Sequence, residues 1–166
     1  MKLKEWLYMF GLRPKAKKYD YKIRTFELPD YGTVEYAQWL HPFETQKYIE
    51  IDAINELKTV LDSGDFCIDI GAHTGDTTIP MALAVGSSGL TLALEPNPYV
   101  YHVLNKNAAL NPDKTTIQPI MLAAASENCD MEFEYSDAGY CNGGRHEGIS
   151  KWKHGHPFKL KITGVH

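Results

Sequence analysis

The amino-acid sequence predicts an α/β fold centred on parallel strands, and two stretches carry that prediction. Phe66-Cys67-Ile68-Asp69-Ile70 is a short apolar run containing an acid. It leads directly into Gly71-Ala72-His73-Thr74-Gly75-Asp76, a glycine-bounded turn that opens a helical segment. Leu90–Leu94 is a second apolar run ending in Glu95-Pro96-Asn97-Pro98, with Glu95 twenty residues beyond Gly75. In a βαβ unit this layout places a glycine-walled turn and a carboxylate at the same end of two neighbouring parallel strands. Such a pair of strand ends forms a nucleoside site.

The remaining elements follow in order. Tyr21, Ile23, Thr25 and Glu27 alternate, and Val34, Tyr36 and Gln38 resume after Pro29-Asp30-Tyr31-Gly32, so residues 21–40 read as a β-hairpin. His41-Pro42 ends it, because the residue before a proline is pushed to extended geometry. From Thr45 to about Ser63 the pattern turns helical. Ile51, Ile54, Leu57 and Leu61 recur at spacings of three and four, with Thr45 as the expected cap and Gly64 as the left-handed stop. Thr77–Ala84 follows the first strand as a short helix. Asn97 is an N-cap with Pro98 at the first helical position, where its missing donor costs nothing. Tyr101, Leu104, Ala108 and Leu110 are the expected inner face of that helix, which closes at Asn111-Pro112. Thr116–Met121 reads as a third strand. Met131, Phe133 and Tyr135 then alternate in antiparallel style, and Phe158, Leu160 and Ile162 do so again near the end.

Length and composition bound the function. The chain of 166 residues suits one domain with a real core, and 43% apolar with 23% charged residues is ordinary for a soluble protein. The formal charge of −4 is unevenly distributed, because residues 1–24 carry +6 and leave an acidic body of −10. Duplex nucleic acid needs a basic face, so no nucleic-acid partner is expected. Cys67, Cys129 and Cys141 are odd in number and widely spaced, which fits neither a disulfide framework nor a structural zinc site and suits a reducing cytoplasm. No stretch approaches the roughly 20 apolar residues of a spanning helix. Trp6 and Phe10 among lysines leave room for weak peripheral membrane contact through residues 1–18, beside the simpler reading of a short docking helix.

The turn itself points to a particular cofactor chemistry. Gly71 and Gly75 are separated by three residues, unlike the tighter glycine spacing that cradles a pyrophosphate, and His73 and Thr74 add bulk. Asp76 places a carboxylate where a diphosphate would sit, and Asp69 adds a second acid on the same side. Negative charge there repels phosphates and suits a ligand with a cationic centre and an ammonium group, as in S-adenosyl-L-methionine. Glu95 is placed to accept both ribose hydroxyls. Exposed N–H groups at the turn are expected to bond the cofactor.

The run Asp69-Ile70-Gly71-Ala72-His73-Thr74-Gly75-Asp76-Thr77-Thr78, the run Ala93-Leu94-Glu95-Pro96-Asn97-Pro98, and Asn105-x-Asn107 to Leu110-Asn111 resemble the FkbM family of S-adenosylmethionine-dependent methyltransferases. The similarity continues through Ala123-Ala124-Ala125-Ser126 and Phe133–Asp137. It implies a Rossmann-like class I methyltransferase fold and O-methyl transfer to a hydroxyl of a small molecule or glycan. It also implies that Gly71, Ala72 and Gly75 line the cofactor and that Glu95 holds its ribose; Asp69, His73, Thr74, Asp76 and Asn97 complete the expected cofactor site. No Asp-x-Glu-Gly motif of the family's later strands occurs, and residues 162–166 end the chain before strands that would flank Phe66–Ile70. The sequence therefore reads as an N-terminal fragment, a fold truncated after its first strands, and the 166 residues alone are expected not to turn over. The domain plan is a basic lead and hairpin over 1–44 and a partial methyltransferase domain over 45–166. The rivals are a nicotinamide-type oxidoreductase fragment and a non-catalytic nucleoside-binding module.

Weaker signals lie in the Gly-, His- and Asn-rich stretch 138–156. Cys141, His146, His154 and His156 match no standard zinc spacing, so no metal is expected. A substrate-facing loop hinged at Gly143-Gly144 is the better reading, with His146 or His154 as the candidate base. Methyl transfer from a sulfonium needs alignment more than a base. His73 is expected to pack or hydrogen-bond near the cofactor in preference to acting as a base.

Overall fold

The computed structural model describes residues 17–135 and 158–166. Strands β1 (Tyr21–Leu28) and β2 (Gly32–Trp39) form the expected hairpin, in register from Tyr21 opposite Trp39 to Leu28 opposite Gly32. Its turn is closed by the Tyr31 N–H on the Leu28 carbonyl at 3.3 Å, with Asp30 at φ 67°.

The helix expected over 45–63 is much shorter. Helix α1 spans Ile51–Leu57, with Glu50 as its extended N-cap and Lys58 as its C-cap. Residues 45–48 run instead along the hairpin, because side chains capture their backbone. Gln38 accepts from the Lys47 N–H at 2.7 Å and donates to the Thr45 carbonyl at 3.2 Å. The Arg24 guanidinium donates to the Lys47 carbonyl and lies 4.8 Å from the ring centres of both Phe26 and Tyr48. A backbone whose N–H and C=O are held this way has no use for a helical partner. Gly64 does take the left-handed conformation, at φ 94°, but it follows a loop. The apolar spacing was sound: Ile54 is fully buried, and Ile51, Leu57 and Leu61 pack around the same cluster.

Strands β3 (Phe66–Ile70), β4 (Leu90–Leu94) and β5 (Ile117–Ile120) form a parallel sheet in that order, linked by helices α2 (Thr78–Val85) and α3 (Pro98–Ala108). Asp69 pairs with Ala93, which pairs with Pro119. The proline is tolerated because, among the described residues, β5 is the sheet's outer strand. Consecutive parallel strands joined by crossover helices make this a Rossmann-like α/β fold. Beyond it, β6 (Ala123–Ala124) runs parallel to β8 (Phe158–Val165), and β7 (Cys129–Tyr135) lies antiparallel to β8 from Cys129–Gly164 to Tyr135–Phe158. The antiparallel turn of the sequence after the third strand is thus realised.

Both helices lie on one face of the sheet, and the hairpin lies over the helices. Leu28, Val34 and Tyr36 of the hairpin share a cluster with Ile49, Ile54, Ile79 and Leu83. Ala37 and Trp39 meet Val100, Val103 and Leu110. Each fully buried Val, Ile or Leu among them contributes about 1.5–3 kcal/mol. Helix α2 is apolar all round because it is sandwiched, and seven of its eight residues are buried. The inner face of α3 is Val100, Val103, Leu104 and Asn107, whereas Tyr101 and Ala108, expected there, are half-buried. The reason is the hairpin: it covers α3 from a second side and draws in Val100 and Val103. Cys67 is buried, as its place in the apolar run implied. The other sheet face stays open, with Phe66, Ile68 and Ile70 exposed, and among the described residues β3 pairs with β4 alone.

Candidate functional site

The site lies at the carboxyl ends of β3 and β4, where the turn after β3 is tied to the end of β4. The N–H groups of Gly71 and Ala72 both donate to the Leu94 carbonyl at 2.9 Å. One residue on, the Glu95 carboxylate accepts from the His73 N–H at 3.0 Å and the Asn97 N–H at 2.7 Å. Asn97 caps α3 by accepting from the Tyr99 N–H at 3.0 Å, as its sequence position required. Glu95 therefore joins the glycine turn to the start of α3.

This corrects one expectation. The turn's N–H groups are largely committed inside the protein, because Gly71, Ala72 and His73 reach Leu94 and Glu95, and Gly75 reaches the Ala72 carbonyl at 2.8 Å. Those four donors are not free for a ligand. The carboxylate of Glu95, 7% exposed, keeps acceptor capacity, since two oxygens offer about four acceptor sites and these N–H groups fill two.

Two glycines have different reasons. Gly71 at φ 83° turns the chain, and a Cβ there would meet no protein atom within 4 Å, so it would project into open space at the strand ends. Gly75 at φ 94° has α3 against it: a Cβ would come 3.1 Å from Leu104 Cδ1. Gly75 thus admits the second helix, α3, and not only the helix that follows it.

The floor of the turn is held by buried polar groups whose partners the sequence does not reveal. Asn107 of α3 donates to the Thr74 carbonyl at 2.6 Å and to the Ala37 carbonyl at 3.1 Å, and accepts from the Ala37 N–H at 2.6 Å. The fully buried Thr74 hydroxyl lies 2.6 Å from Tyr36 Oη. Burial, opposed by that hydrogen bond, pushes the phenol far above its ordinary value, so Tyr36 stays protonated. Four residues after Asn107, Asn111 pairs with the Glu35 N–H and C=O at 2.8 and 2.9 Å. The clue was present, for Asn107 and Asn111 continue the apolar stripe of α3 with polar side chains.

Four carboxylates gather around this turn. Asp69 accepts from the Thr78 hydroxyl at 2.6 Å, and burial raises its carboxyl above the usual range. Burial raises Glu95 too, against the pull of the Asn97 and His73 amides. Asp76 has a counter-charge that the sequence did not reveal: Lys47 Nζ lies 2.8 Å from its Oδ2, and 3.6 Å from Oε1 of Glu44, whose carboxyl burial also raises. Asp76 is therefore not a lone negative charge but one of four neighbouring carboxylates that share one lysine. Asp76 borders a cleft of about 450 Å³ between α1 and α2, and Glu44 borders another of about 440 Å³ against β1 and β2.

His73 sits in the turn at φ 50° with its ring edge-on to Trp39, centroids 5.8 Å apart. Burial pushes its imidazole down to about 4, with Asp76 opposing and Lys47 and His41 reinforcing the shift. Below the ordinary value of 6.5 the unfolded chain binds a proton that the native ring refuses. The neutral ring thus supports the fold fully above pH 6.5, and this support is lost as pH falls toward 4. Asparagine tolerates positive φ and does not titrate. Between pH 6.5 and 4 the wild-type protein should therefore lose about 3 kcal/mol relative to His73→Asn in chemical denaturation. Parallel pH profiles for the two proteins would contradict this assignment.

The candidates His146 and His154, and the Cys141 and His156 positions, lie outside the described residues, as does the lead 1–16. No helix among the described residues is long and apolar enough to cross a membrane.

The fold is a Rossmann-like α/β arrangement in which the glycine turn and the strand-end carboxylate of Glu95 meet beside the ends of β3 and β4. No family model matches the chain, and no curated protein matches it. Among solved structures, P. horikoshii TYW2 in complex with MeSAdo is similar at 14% identity and a TM-score of 0.47, over 72% of this chain and 46% of that one. A SAM-dependent O-methyltransferase from Thermotoga maritima is similar at 18% identity and a TM-score of 0.39, over 63% of this chain and 43% of that one. The chain spans less than half the length of these two structures.

Proposed function

We propose that this chain is the cofactor-binding part of an S-adenosyl-L-methionine-dependent methyltransferase acting on a hydroxyl of a small molecule or glycan in the cytoplasm. One observation carries the reading. The Glu95 carboxylate, at the end of β4, is bonded to both the turn after β3 and the start of α3, and those two N–H groups leave acceptor capacity on its oxygens. The residues fit the cofactor: Glu95 would hold the ribose, the bare backbone at Gly71 would admit the nucleoside, and the surrounding carboxylates suit a net positive ligand.

When bound, the cofactor supplies an electrophilic methyl group on a sulfonium. The chain's own residues bind and orient. Asn107 and Tyr36 fix the turn from below through Thr74, Leu94 anchors it at the side, and Asp69 adds negative charge from the end of β3. The resemblance of residues 69–78 and 93–98 to FkbM-type methyltransferases supports the same assignment. Calorimetry with S-adenosylhomocysteine and with NAD tests it. Binding of S-adenosylhomocysteine with no response to NAD is expected; tight NAD binding with no response to S-adenosylhomocysteine would overturn it in favour of an oxidoreductase.

A further inference from the structure

Arg24 of β1 borders the cleft of about 440 Å³ beside the hairpin, together with Lys22 and Gln46. Its guanidinium is fixed in place. The ring centres of Phe26 and Tyr48 both lie 4.8 Å from its central carbon. Nη1 donates to the Lys47 carbonyl, and the Gln46 amide oxygen accepts from Nη2 at 2.8 Å and from Nη1 at 3.3 Å. The Tyr48 hydroxyl steadies Gln46 by donating to the same oxygen at 3.0 Å. Those contacts engage three of an arginine's five N–H groups. The two that remain, on Nε and Nη2, lie side by side along one edge and form the fork that matches a carboxylate or phosphate. The positive charge is also unanswered. Among the described residues the ion pairs are those of Lys47 and Lys114, and neither Arg24 nor Lys22 has a carboxylate partner. Lys22 stands two residues before Arg24 on the same face of β1, about 7 Å along the strand. Like charges so placed repel, and an anion seated between them replaces that repulsion with attraction. Glu44 borders the cleft too, but its side chain is 3% exposed, with Oε1 3.6 Å from Lys47 Nζ.

We infer that this cleft binds an oxyanion carried by the methyl acceptor, a carboxylate or a phosphate. The free edge of Arg24 takes it in a bidentate grip, and Lys22 supplies the second charge. Its location supports the role. Trp39 borders the same cleft, and its ring meets that of His73 in the glycine turn at 5.8 Å. An acceptor anchored by its anionic group is thereby held one side chain away from the turn. The acceptor role rests on the methyltransferase reading above, whereas the anion site does not. The cleft narrows the acceptor from any hydroxyl compound to one that also bears a negative charge, such as a uronic acid or a sugar phosphate.

Calorimetry with glucuronate, glucose 6-phosphate and glucose tests it. The three share a sugar ring, and glucose has no anion. At least one of the two anions should bind about tenfold or more tighter than glucose, and the tighter of them tells carboxylate from phosphate. Arg24→Lys keeps the charge but not the fork, and should weaken that anion about tenfold. Lys22→Met should weaken it about threefold, and the exposed position of Lys22 keeps the hairpin intact. Thermal unfolding checks that each variant folds; if Arg24→Lys does not, Lys22→Met decides. Glucose binding as tightly as both anions, or no weakening in any folded variant, would overturn the site. No response to either anion would overturn it too and, if S-adenosylhomocysteine still binds, leave the cofactor reading standing. An anion bound by a protein that does not take S-adenosylhomocysteine would overturn the cofactor reading and the acceptor role with it.

Discussion

Glu95→Ala should weaken S-adenosylhomocysteine binding by about 100-fold, the value of two charge-assisted hydrogen bonds to ribose hydroxyls. The effect has two sources. The ligand loses its acceptor, and the His73 and Asn97 N–H groups lose theirs, so the turn is no longer tied to the start of α3. Glu95→Gln separates the two. An amide has a single oxygen, so one of the two backbone N–H groups would face an NH₂ donor. The glutamine protein should therefore melt lower than wild type and also bind poorly, despite its matched shape. If Glu95→Gln bound S-adenosylhomocysteine like wild type in calorimetry and melted at the same temperature, Glu95 would be neither the ribose acceptor nor the tie.

Asn107→Ala should be the most destabilising polar substitution in α3. The residue is 1% exposed and makes three hydrogen bonds, to both backbone groups of Ala37 and to the Thr74 carbonyl. Truncation leaves those buried groups unsatisfied at about 1–3 kcal/mol each, so a total loss of about 3–5 kcal/mol is expected. For a chain of this size that is a fall in melting temperature on the order of 10 °C. Asn111→Ala removes two bonds to Glu35 and should cost about half as much. Urea denaturation of both variants checks the order. If Asn107→Ala proved milder than Asn111→Ala, the coupling between hairpin and turn would be wrongly assigned. Because Asn107 is buried against Ala37 and Thr74, its loss should weaken S-adenosylhomocysteine only through the looser turn.

The strands and their ends were legible because burial writes itself into local pattern. Phe66–Ile70 and Leu90–Leu94 read as strands with the boundaries observed, and Asn97-Pro98 read as a helix start because capping is a contact between near neighbours. The segment 45–50 was misread. Its apolar spacing continues that of α1, but Gln38 and Arg24, distant in sequence, supply backbone partners that a helix would have supplied locally. The inner face of α3 was misread for a related reason, since the hairpin buries Val100 and Val103 from a side that the sheet does not reach.

The same division runs through the site. Gly71, Gly75, Glu95 and Asn97 stand at offsets that only a strand–turn–helix unit makes sense of, so residue order alone brought the glycine turn and the acid together at the ends of β3 and β4. Lys47 beside Asp76 and Asn107 beneath Thr74 depend on segments more than twenty residues apart in sequence meeting in space. Local sequence encodes backbone conformation, because its hydrogen bonds and sterics act between neighbours. Charge balance and buried hydrogen bonding at a site depend on distance in space. Whether Asp76 stood alone or paired was therefore settled only once the chain had folded.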